Sequence, residues 1–512
     1  MNKVIPIARL PPEVLATIFS CYILSVDPGL TSADLLLSDP FCGNKNLIPY
    51  PWVHITHVCH DWREVALSTP SLWRTVYVGY GSCSVEATRT VLARSKHALL
   101  HLRIFVTQHP RWSTIILNTI QELSRAETFD LTTLSTFLDS HSVKIPPCAP
   151  HLRTLKIHLK SPLVLASAAQ HMADFGPPNP PLLPAFLKTC RTPVLTQLSI
   201  IGYRIEWIPG TVPMSLTHLC ISNAESVEDG VVKSACSDVA KVVACLHALQ
   251  HLELLGTLED LSDIIPPRPP PALKAPLPHL QTFNVSGNIR TCAHFLDHFI
   301  LPLSTKISIE VRDVLNGVIA NSPTISTISS VVHEISSDST RRARLAVTPR
   351  SLAFYAASVD WPRMRIHTQY NIAGGESFLN KLCSALPLHC FSVLDLSYRH
   401  NTMSALTNLL GGLRNVETIR FNDVGAIDLI TLLHGCPPSL KSVILYNIEF
   451  QDDYFDYEGD NWEGTLLSSL LRFFRGQEEA GCMVGCLTIL DCPSVQQSDV
   501  ELLRQSVKVI WD

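Results

Sequence analysis

The chain has 512 residues, of which 46% are hydrophobic and 17% are charged, and its formal net charge is −5. This composition excludes a mostly disordered chain, and it gives no global electrostatic case for a binder of nucleic acid or acidic membranes. No apolar run reaches the roughly 20 residues that a membrane-spanning helix needs. Leucine makes up about one residue in seven, an excess that needs a structural cause.

The amino-terminal segment is predicted to contain three short helical elements. Leu10 to Phe19 begins with two prolines and an early glutamate, which favour a helix start, and its apolar residues fall on one face. Trp52 to Ala66 carries apolar residues at spacings of three and four, which predicts a second amphipathic helix. Ser68 to Trp73 turns the chain into the third element.

These three blocks resemble the F-box, in the form found in fungal and especially mushroom-type proteins. The matching motifs are Leu-Pro-x-Glu-Val-Leu-x-x-Ile-Phe from Leu10, Val-Cys-x-x-Trp from Val58 and Ser-Thr-Pro-x-Leu-Trp from Ser68. We place the F-box at residues 5–78. The sequence departs from a compact F-box by a long insertion at about residues 22–50, which we expect to be a surface loop because loop-closure entropy grows slowly with length.

The resemblance implies a three-helix module that docks on a Skp-type adaptor and, through it, on a cullin-based ubiquitin ligase. Carried over by position, the residues in or under the docking surface are Leu10, Pro11, Leu15, Ile18, Val58, Cys59 and Trp62. A module this small cannot bury so many apolar groups by itself. The alternative is that these residues pack only on the domain that follows.

The rest of the chain, residues 85–512, carries a degenerate repeat that accounts for the leucine. A pattern of apolar-x-x-apolar-x-apolar recurs ten times, beginning at Leu99, Leu152, Leu195, Leu216, Leu249, Leu280, Phe391, Val416, Leu440 and Val484. Successive starts differ by 21 residues from Leu195 to Leu216 and by 24 from Val416 to Leu440. These spacings are typical of leucine-rich repeats, whose period is about 20–29 residues.

The repeat predicts the fold class, which is α/β. Each pattern ends in an alternating strand, and helical segments precede several strands, as at residues 239–247, 403–410 and 427–434. Strand and helix in alternation predict a curved solenoid with parallel strands on one face and helices on the other. Between residues 286 and 390 the period fails, and we expect diverged repeats there rather than a separate fold. A proline-rich stretch, Pro266 to Pro271, is interpreted as a stiff loop rather than a polyproline ligand.

Common catalytic and metal motifs are absent from the sequence, which predicts a non-catalytic protein without a cofactor. There is no Gly-Lys dipeptide, no Gly-x-Ser-x-Gly and no His-Glu-x-x-His. Three histidines, His54, His57 and His60, would fan over about 120° of a helix and so cannot converge on one ion. Near the carboxyl end, three cysteines lack a matching second pair, namely Cys482, Cys486 and Cys492. We interpret the 16 cysteines as reduced and mostly buried, in a cytoplasmic or nuclear protein.

An acidic and aromatic stretch from Glu449 to Glu463 is the second candidate site. It contains no lysine or arginine, and its spacing does not match a calcium loop. The residues proposed for partner binding are Asp452, Asp453, Tyr454, Asp456, Tyr457 and Trp462. Exposed aromatic anchors beside acids would select a basic partner. A solvated acidic loop is the alternative.

The sequence therefore favours a substrate-receptor subunit of an SCF-type ubiquitin ligase. The F-box would hold the adaptor, and the repeat domain would hold an unidentified protein substrate, with no role for nucleic acid or membrane. The alternative is a non-catalytic repeat scaffold whose F-box no longer engages an adaptor, for which the long insertion is a possible cause.

Overall fold

The computed structural model describes the residues 10–26, 50–79, 84–106, 110–133, 146–159, 190–203, 205–223, 234–260, 274–302, 304–311, 328–330, 332, 343–348, 351–355, 364–368, 386, 388–397, 409–450, 465–482 and 484–512. The fold is mixed α/β, as predicted, with a helical amino-terminal segment followed by mainly parallel strands. The chain divides into two compact units, Met1–Lys233 with Lys241–His251, and Ser234–Ala240 with Leu252–Asp512.

The helices are short, and most of them alternate with strands along the chain. They are α1 (Pro12–Val26), α2 (His60–Ser68), α3 (Val85–Ser95), α4 (Pro110–Gln121), α5 (Cys236–Ala244), α6 (Ile289–Leu296), α7 (Ala426–His434), α8 (Leu466–Glu479) and α9 (Gln497–Leu503). The described residues also form four 3-10 helices, at Pro51–His57, Pro70–Trp73, Glu122–Arg125 and Leu388–Cys390.

Nineteen strands lie within the described ranges. They are β1 (Thr75–Val78), β2 (Leu100–Val106), β3 (Ala126–Thr133), β4 (Thr154–Leu159), β5 (Gln197–Ile201), β6 (His218–Ser222), β7 (His251–Leu255), β8 (Ala275–Pro276), β9 (Thr282–Gly287), β10 (Phe299–Ile300), β11 (Lys306–Val311), β12 (Ala343–Thr348), β13 (Ser351–Tyr355), β14 (Met364–Thr368), β15 (Phe391–Ser397), β16 (Thr418–Asn422), β17 (Ser442–Tyr446), β18 (Cys486–Leu490) and β19 (Lys508–Trp511). All ten predicted patterns end on one of these strands.

In the first unit, β1 to β6 pair in chain order, and every pair is parallel. The register aligns the repeat positions, so that Leu155 lies opposite Leu198, and Leu198 lies opposite Leu219. The inner face therefore carries two apolar rows. The first is Val76, Leu102, Phe129, Leu155, Leu198 and Leu219, and the second is Val78, Ile104, Leu131, Ile157, Ile200 and Ile221. Each of these side chains is at most 7% exposed, and burying each stabilises the fold by about 1.5–3 kcal/mol.

In the second unit, β15 to β19 repeat this arrangement, with parallel pairing in chain order. The region 343–368 differs from the expected diverged repeats. The strand β14 pairs parallel with β11, but β13 is antiparallel to both β14 and β12, and β12 then pairs parallel with β15. The three strands thus form an antiparallel meander inside an otherwise parallel order. Alternation predicts a strand, but it does not specify the direction of its neighbour.

A left-handed residue directly follows six of the strands. These residues are Gly79, Gly202, Gly256, Asp423, Asn447 and Asp491, with φ between 49° and 80°. Glycine adopts this region freely, and Asn and Asp tolerate it better than other residues. At Gly79 the requirement is strict, because a Cβ there would come within 1.9 Å of the Phe105 carbonyl oxygen. These six strands are therefore each followed by a residue in the left-handed conformation.

Candidate functional site

The helix α1 begins where the sequence predicts and runs seven residues beyond Phe19. The carbonyl of Pro11 accepts hydrogen bonds from the amides of Val14 and Leu15 at 3.0 and 3.1 Å, and Glu13 lies in the first turn. Leu15 and Phe19 form its buried side, at 4% and 1% exposure, since residues four apart share a helix face.

A row of apolar residues beside the buried side of α1 is exposed. Val14, Ile18 and Tyr22 follow one another at steps of four and are 42%, 40% and 39% exposed, and Leu24 is 78% exposed. Val58, which lies beyond the 3-10 helix that contacts α1, is 60% exposed. We call Val14, Ile18, Tyr22 and Val58 the apolar patch, and Leu24 lies about 200° around α1 from Tyr22. Two of its members, Val14 and Tyr22, were not among the predicted site residues, although the four-residue spacing from Ile18 identifies both.

The predicted helix from Trp52 to Ala66 is wrong as a single element. A 3-10 helix ends at His57, and α2 begins only at His60, because Cys59 adopts an extended backbone with φ −158° and ψ 174°. The break frees the Thr56 carbonyl, which accepts a hydrogen bond from Arg63 Nε at 2.8 Å. The periodic residues Trp52, Ile55 and Val65 are buried, but Val58 and Cys59, on the same predicted face, are exposed. Spacing alone does not report whether the helical hydrogen bonds continue.

Side chains tie this segment to the 3-10 helix Pro70–Trp73. At the end of α2, Thr69 Oγ1 donates to the Val65 carbonyl at 2.6 Å, and Trp73 Nε1 donates to the Ala66 carbonyl at 2.8 Å. The rings of Trp73 and Trp52 meet edge to face at 4.8 Å. Such contacts satisfy the last carbonyls of a helix and fix its orientation. The two 3-10 helices and α2, beside which Val58 lies, are therefore held together.

The structure places the seven predicted docking residues at three levels of exposure. Leu15 is buried, Leu10 and Trp62 are half-buried, and the exposed ones are Pro11, Ile18, Val58 and Cys59. The ring of Trp62 lies 5.0 Å from that of Phe19, which joins α2 to α1. The set thus combines a surface with the residues that support it.

The histidines of this segment are all exposed. His60 lies 3.7 Å from Asp61 and 4.0 Å from Glu64, and the helix break at Cys59 removes the uniform angular steps assumed for His54, His57 and His60. Within the part of the chain that the structure describes, no three His, Cys, Asp or Glu residues are grouped so that they could hold a metal ion.

The cysteines are more varied in exposure than predicted. All those described are free thiols, and of them four are buried, six are half-buried and three are exposed. Burial raises the pKa of Cys436 to about 12, and burial together with the nearby Glu259 raises the pKa of Cys236 to about 12. Both are therefore neutral thiols at physiological pH. Cys492 accepts a hydrogen bond from the Ile448 amide at 3.3 Å, which gives it a structural role.

The acidic and aromatic stretch falls outside the described residues almost entirely. Glu449 is described and exposed, whereas the candidates Asp452, Asp453, Tyr454, Asp456, Tyr457 and Trp462 are not described. The same holds for the proline-rich stretch at residues 266–271. Neither prediction is tested by the geometry.

Comparison with known proteins identifies the amino-terminal segment. Among the described residues, no helix combines the length and the apolar character needed to cross a membrane. No curated protein matches the chain. A family model described as F-box-like matches residues 7–79, which include α1, α2 and the apolar patch. The chain therefore contains an F-box-like domain at its amino-terminal end.

Proposed function

We propose that the chain is a substrate-receptor subunit of an SCF-type, cullin-based ubiquitin ligase, and that its F-box-like domain binds a Skp-type adaptor. The observation that carries the proposal is the apolar patch, which lies within the matched residues 7–79. Exposed apolar side chains grouped on one small domain are typical of protein interfaces. An F-box-like domain suggests, in general, an adaptor role in ubiquitin ligation.

The seven predicted docking residues divide into two roles in this proposal. Pro11, Ile18, Val58 and Cys59 are exposed and would contact the adaptor, whereas Leu10, Leu15 and Trp62 are more buried and would support them. The hydrophobic effect supplies the affinity, because each contact removes apolar surface from water.

The remainder of the chain, residues 85–512, would bind the protein substrate as a leucine-rich-repeat-like solenoid. Three features support this: the parallel register of aligned leucines, the shared left-handed turn after the strands, and a buried asparagine after β6. With its amide nitrogen facing the main chain, Asn223 donates to the Tyr203 and Ser222 carbonyls at 3.1 and 3.2 Å. The receptor would not itself catalyse a reaction. Its contribution would be to raise the effective concentration of the substrate near the transferring enzyme.

Co-purification with a Skp-type adaptor tests the proposal directly. In the variant Val58→Asp, a carboxylate replaces an apolar group that is 60% exposed, so folding should be unchanged while the interface would bury a charge. We expect the dissociation constant to rise by about 100-fold, measured by calorimetry or by capture on the immobilised adaptor.

The matched control is Met214→Asp, because Met214 is 69% exposed, is apolar and lies outside the F-box-like domain. It should bind the adaptor like the wild type. If wild type itself does not bind, the receptor function fails and the scaffold alternative takes its place. If Val58→Asp binds as tightly as wild type, the apolar patch is not the docking surface.

The finer predictions belong to the same proposal. The domain limits 5–78 and 85–512, the likeness to mushroom-type proteins and a cytoplasmic or nuclear location stay predictions. The acidic and aromatic stretch is proposed as a second contact for a basic partner, and replacing its seven acids by amides should weaken capture of that partner.

A further inference from the structure

A cavity lies against the inner face of β4 and β5 in the first unit. Its volume is about 770 Å³, and its lining includes Leu155 on β4 and Leu198 and Ile200 on β5. These three side chains are at most 7% exposed, so they form the floor of the cavity. The interior of a folded protein holds few voids larger than a water molecule. The volume falls instead within the range of about 300–1,000 Å³ that is typical of small-molecule sites.

The connection between β5 and β6 explains why this space is open. The connections from β1 to β2 and from β2 to β3 contain α3 and α4, which contact β1 and β2, and a helix with its side chains is about 10–12 Å wide. The described residues 205–216 between β5 and β6 form no helix. They form loop and turns, in which the Thr211 amide donates to the Ile208 carbonyl at 3.1 Å. Such a segment fills less of the space against the sheet than a helix does.

The walls of the cavity are mainly apolar. Ile205 and Val212 of this segment line it and are 8% and 5% exposed. Three prolines add further apolar surface, namely Pro193, Pro209 and Pro213. Water needs two to four polar partners to be held well, and apolar walls supply none. An apolar molecule that entered the cavity would instead remove apolar surface from water, on the ligand and on the walls.

The charges of the lining balance. Among the described residues that line the cavity, the charged ones are Arg191 and Glu206, which are one cation and one anion. The other polar side chains of the lining are hydroxyls and thiols, at Thr192, Thr211, Cys148 and Cys190. A charged ligand would give up its hydration without meeting an excess of opposite charge. The lining therefore favours an uncharged ligand.

We propose that this cavity is a binding site for an uncharged, mainly apolar small molecule, such as a long-chain alcohol. The apolar part would lie on the floor that Leu155, Leu198 and Ile200 form. The exposed lining residues Pro209 and Thr211 mark the mouth, where the polar end would reach water. The site lies outside residues 7–79, so binding there does not require the adaptor and is independent of the proposed function.

Titration of the full-length chain with N-phenylnaphthylamine, an uncharged probe whose fluorescence rises in apolar surroundings, provides the test. We expect saturable binding, and decanol should displace the probe. Decanoate and decylammonium have the same chain length but a charged head, so they should need at least about 10-fold higher concentrations. Absence of saturable binding would overturn the site. Displacement by either charged compound at the same or a lower concentration than decanol would overturn the choice of an uncharged ligand.

Tryptophan substitutions locate the bound probe. Thr211 and Pro209 are exposed at the mouth, so Thr211→Trp and Pro209→Trp should each fill the entrance while the buried floor stays intact. We expect each to raise the dissociation constant of the probe by at least about 10-fold. Met214→Trp is the matched control, because Met214 is 69% exposed on the same segment and does not line the cavity, and it should bind like the wild type. Wild-type affinity in both mouth variants would place the probe elsewhere, for example on the apolar patch, and would overturn the proposal.

Discussion

The apolar residues of the first unit fall into two groups that are buried in different ways. In β1 to β6 the parallel register stacks them in two rows that the chain covers itself, so Ile104, Ile157 and Ile200 have no exposed surface. In α1 the side chains of Val14, Ile18, Tyr22 and Leu24 are 39–78% exposed, and Val58 is 60% exposed. A repeated strand supplies a partner for each apolar side chain through its neighbours, whereas a single small helical module cannot. The contrast separates residues that hold the fold together from residues available to a second protein.

An isoleucine-to-alanine substitution in each group gives the largest expected difference between the two groups. Ile200→Ala deletes a side chain with no exposed surface, and we expect it to lower the free energy of unfolding by about 2–5 kcal/mol. Ile18→Ala removes a side chain that is 40% exposed and should cost at most about 0.5 kcal/mol, while it weakens adaptor binding. Denaturant unfolding followed by circular dichroism measures both. Equal losses would show that α1 contributes to the core as much as the strands do.

Substitutions of two glycines test whether a strand end contributes as much to stability as the buried apolar rows of β1 to β6. Gly79→Ala places a Cβ 1.9 Å from the Phe105 carbonyl oxygen at a φ of +80°, and we expect a loss of about 2–4 kcal/mol. Gly210→Ala is the control, because φ is +91° but no atom lies within 4 Å of the new Cβ. It should lose about 1–2 kcal/mol. A Gly79 variant no less stable than the Gly210 variant would contradict the close approach at β1.

The smallest expected effect is a pH dependence of stability that comes from His101, on the outer face of the same sheet. Burial and the neighbouring Arg74 lower the pKa of His101, against the opposing influence of Glu127. The folded chain therefore resists protonation there, while the unfolded chain takes up a proton below its ordinary pKa of about 6.5. The contribution of His101 to the free energy of unfolding is therefore complete above about pH 6.5 and is lost as the pH falls below that value.

The measurement compares unfolding midpoints at about pH 7.5 and pH 5.5 for wild type and His101→Gln. The variant should lose less stability on acidification, and the difference isolates His101 from His218 and His294, whose pKa values are also lowered by burial. An identical pH response in both proteins would exclude His101 as a source of acid sensitivity.

Most of the strands could be predicted from the sequence, because a strand that is buried on one face has apolar residues at alternate positions. All ten patterns end on strands, and two strands that were missed carry the same signal. Trp73-x-x-Val76-x-Val78 leads into β1, and Ala126-x-x-Phe129-x-Leu131 spans β3. A wider search with the same template would have found both. The antiparallel pairing of β12 to β14 could not be predicted, since side-chain alternation is the same for parallel and antiparallel neighbours.

The candidate site was predictable in part for a related reason. The F-box resemblance predicted Leu15, Ile18 and Val58 in or under one docking surface, but it did not say which of them are exposed. It did not locate the break at Cys59, which depends on main-chain torsion and on the hydrogen bond from Arg63 to the Thr56 carbonyl.

The left-handed residue after the strands has a consequence for how this chain tolerates change in length. Paired positions are 43 residues apart from β4 to β5 but 21 apart from β5 to β6, and they are 24 apart from β16 to β17 but 44 apart from β17 to β18. The pairing stays regular across all four steps. Asn447 turns the chain away directly after β17, and the long step of 44 residues to β18 follows it without disturbing the pairing. An insertion directly after Asn447 should therefore leave the register of β17 and β18 unchanged.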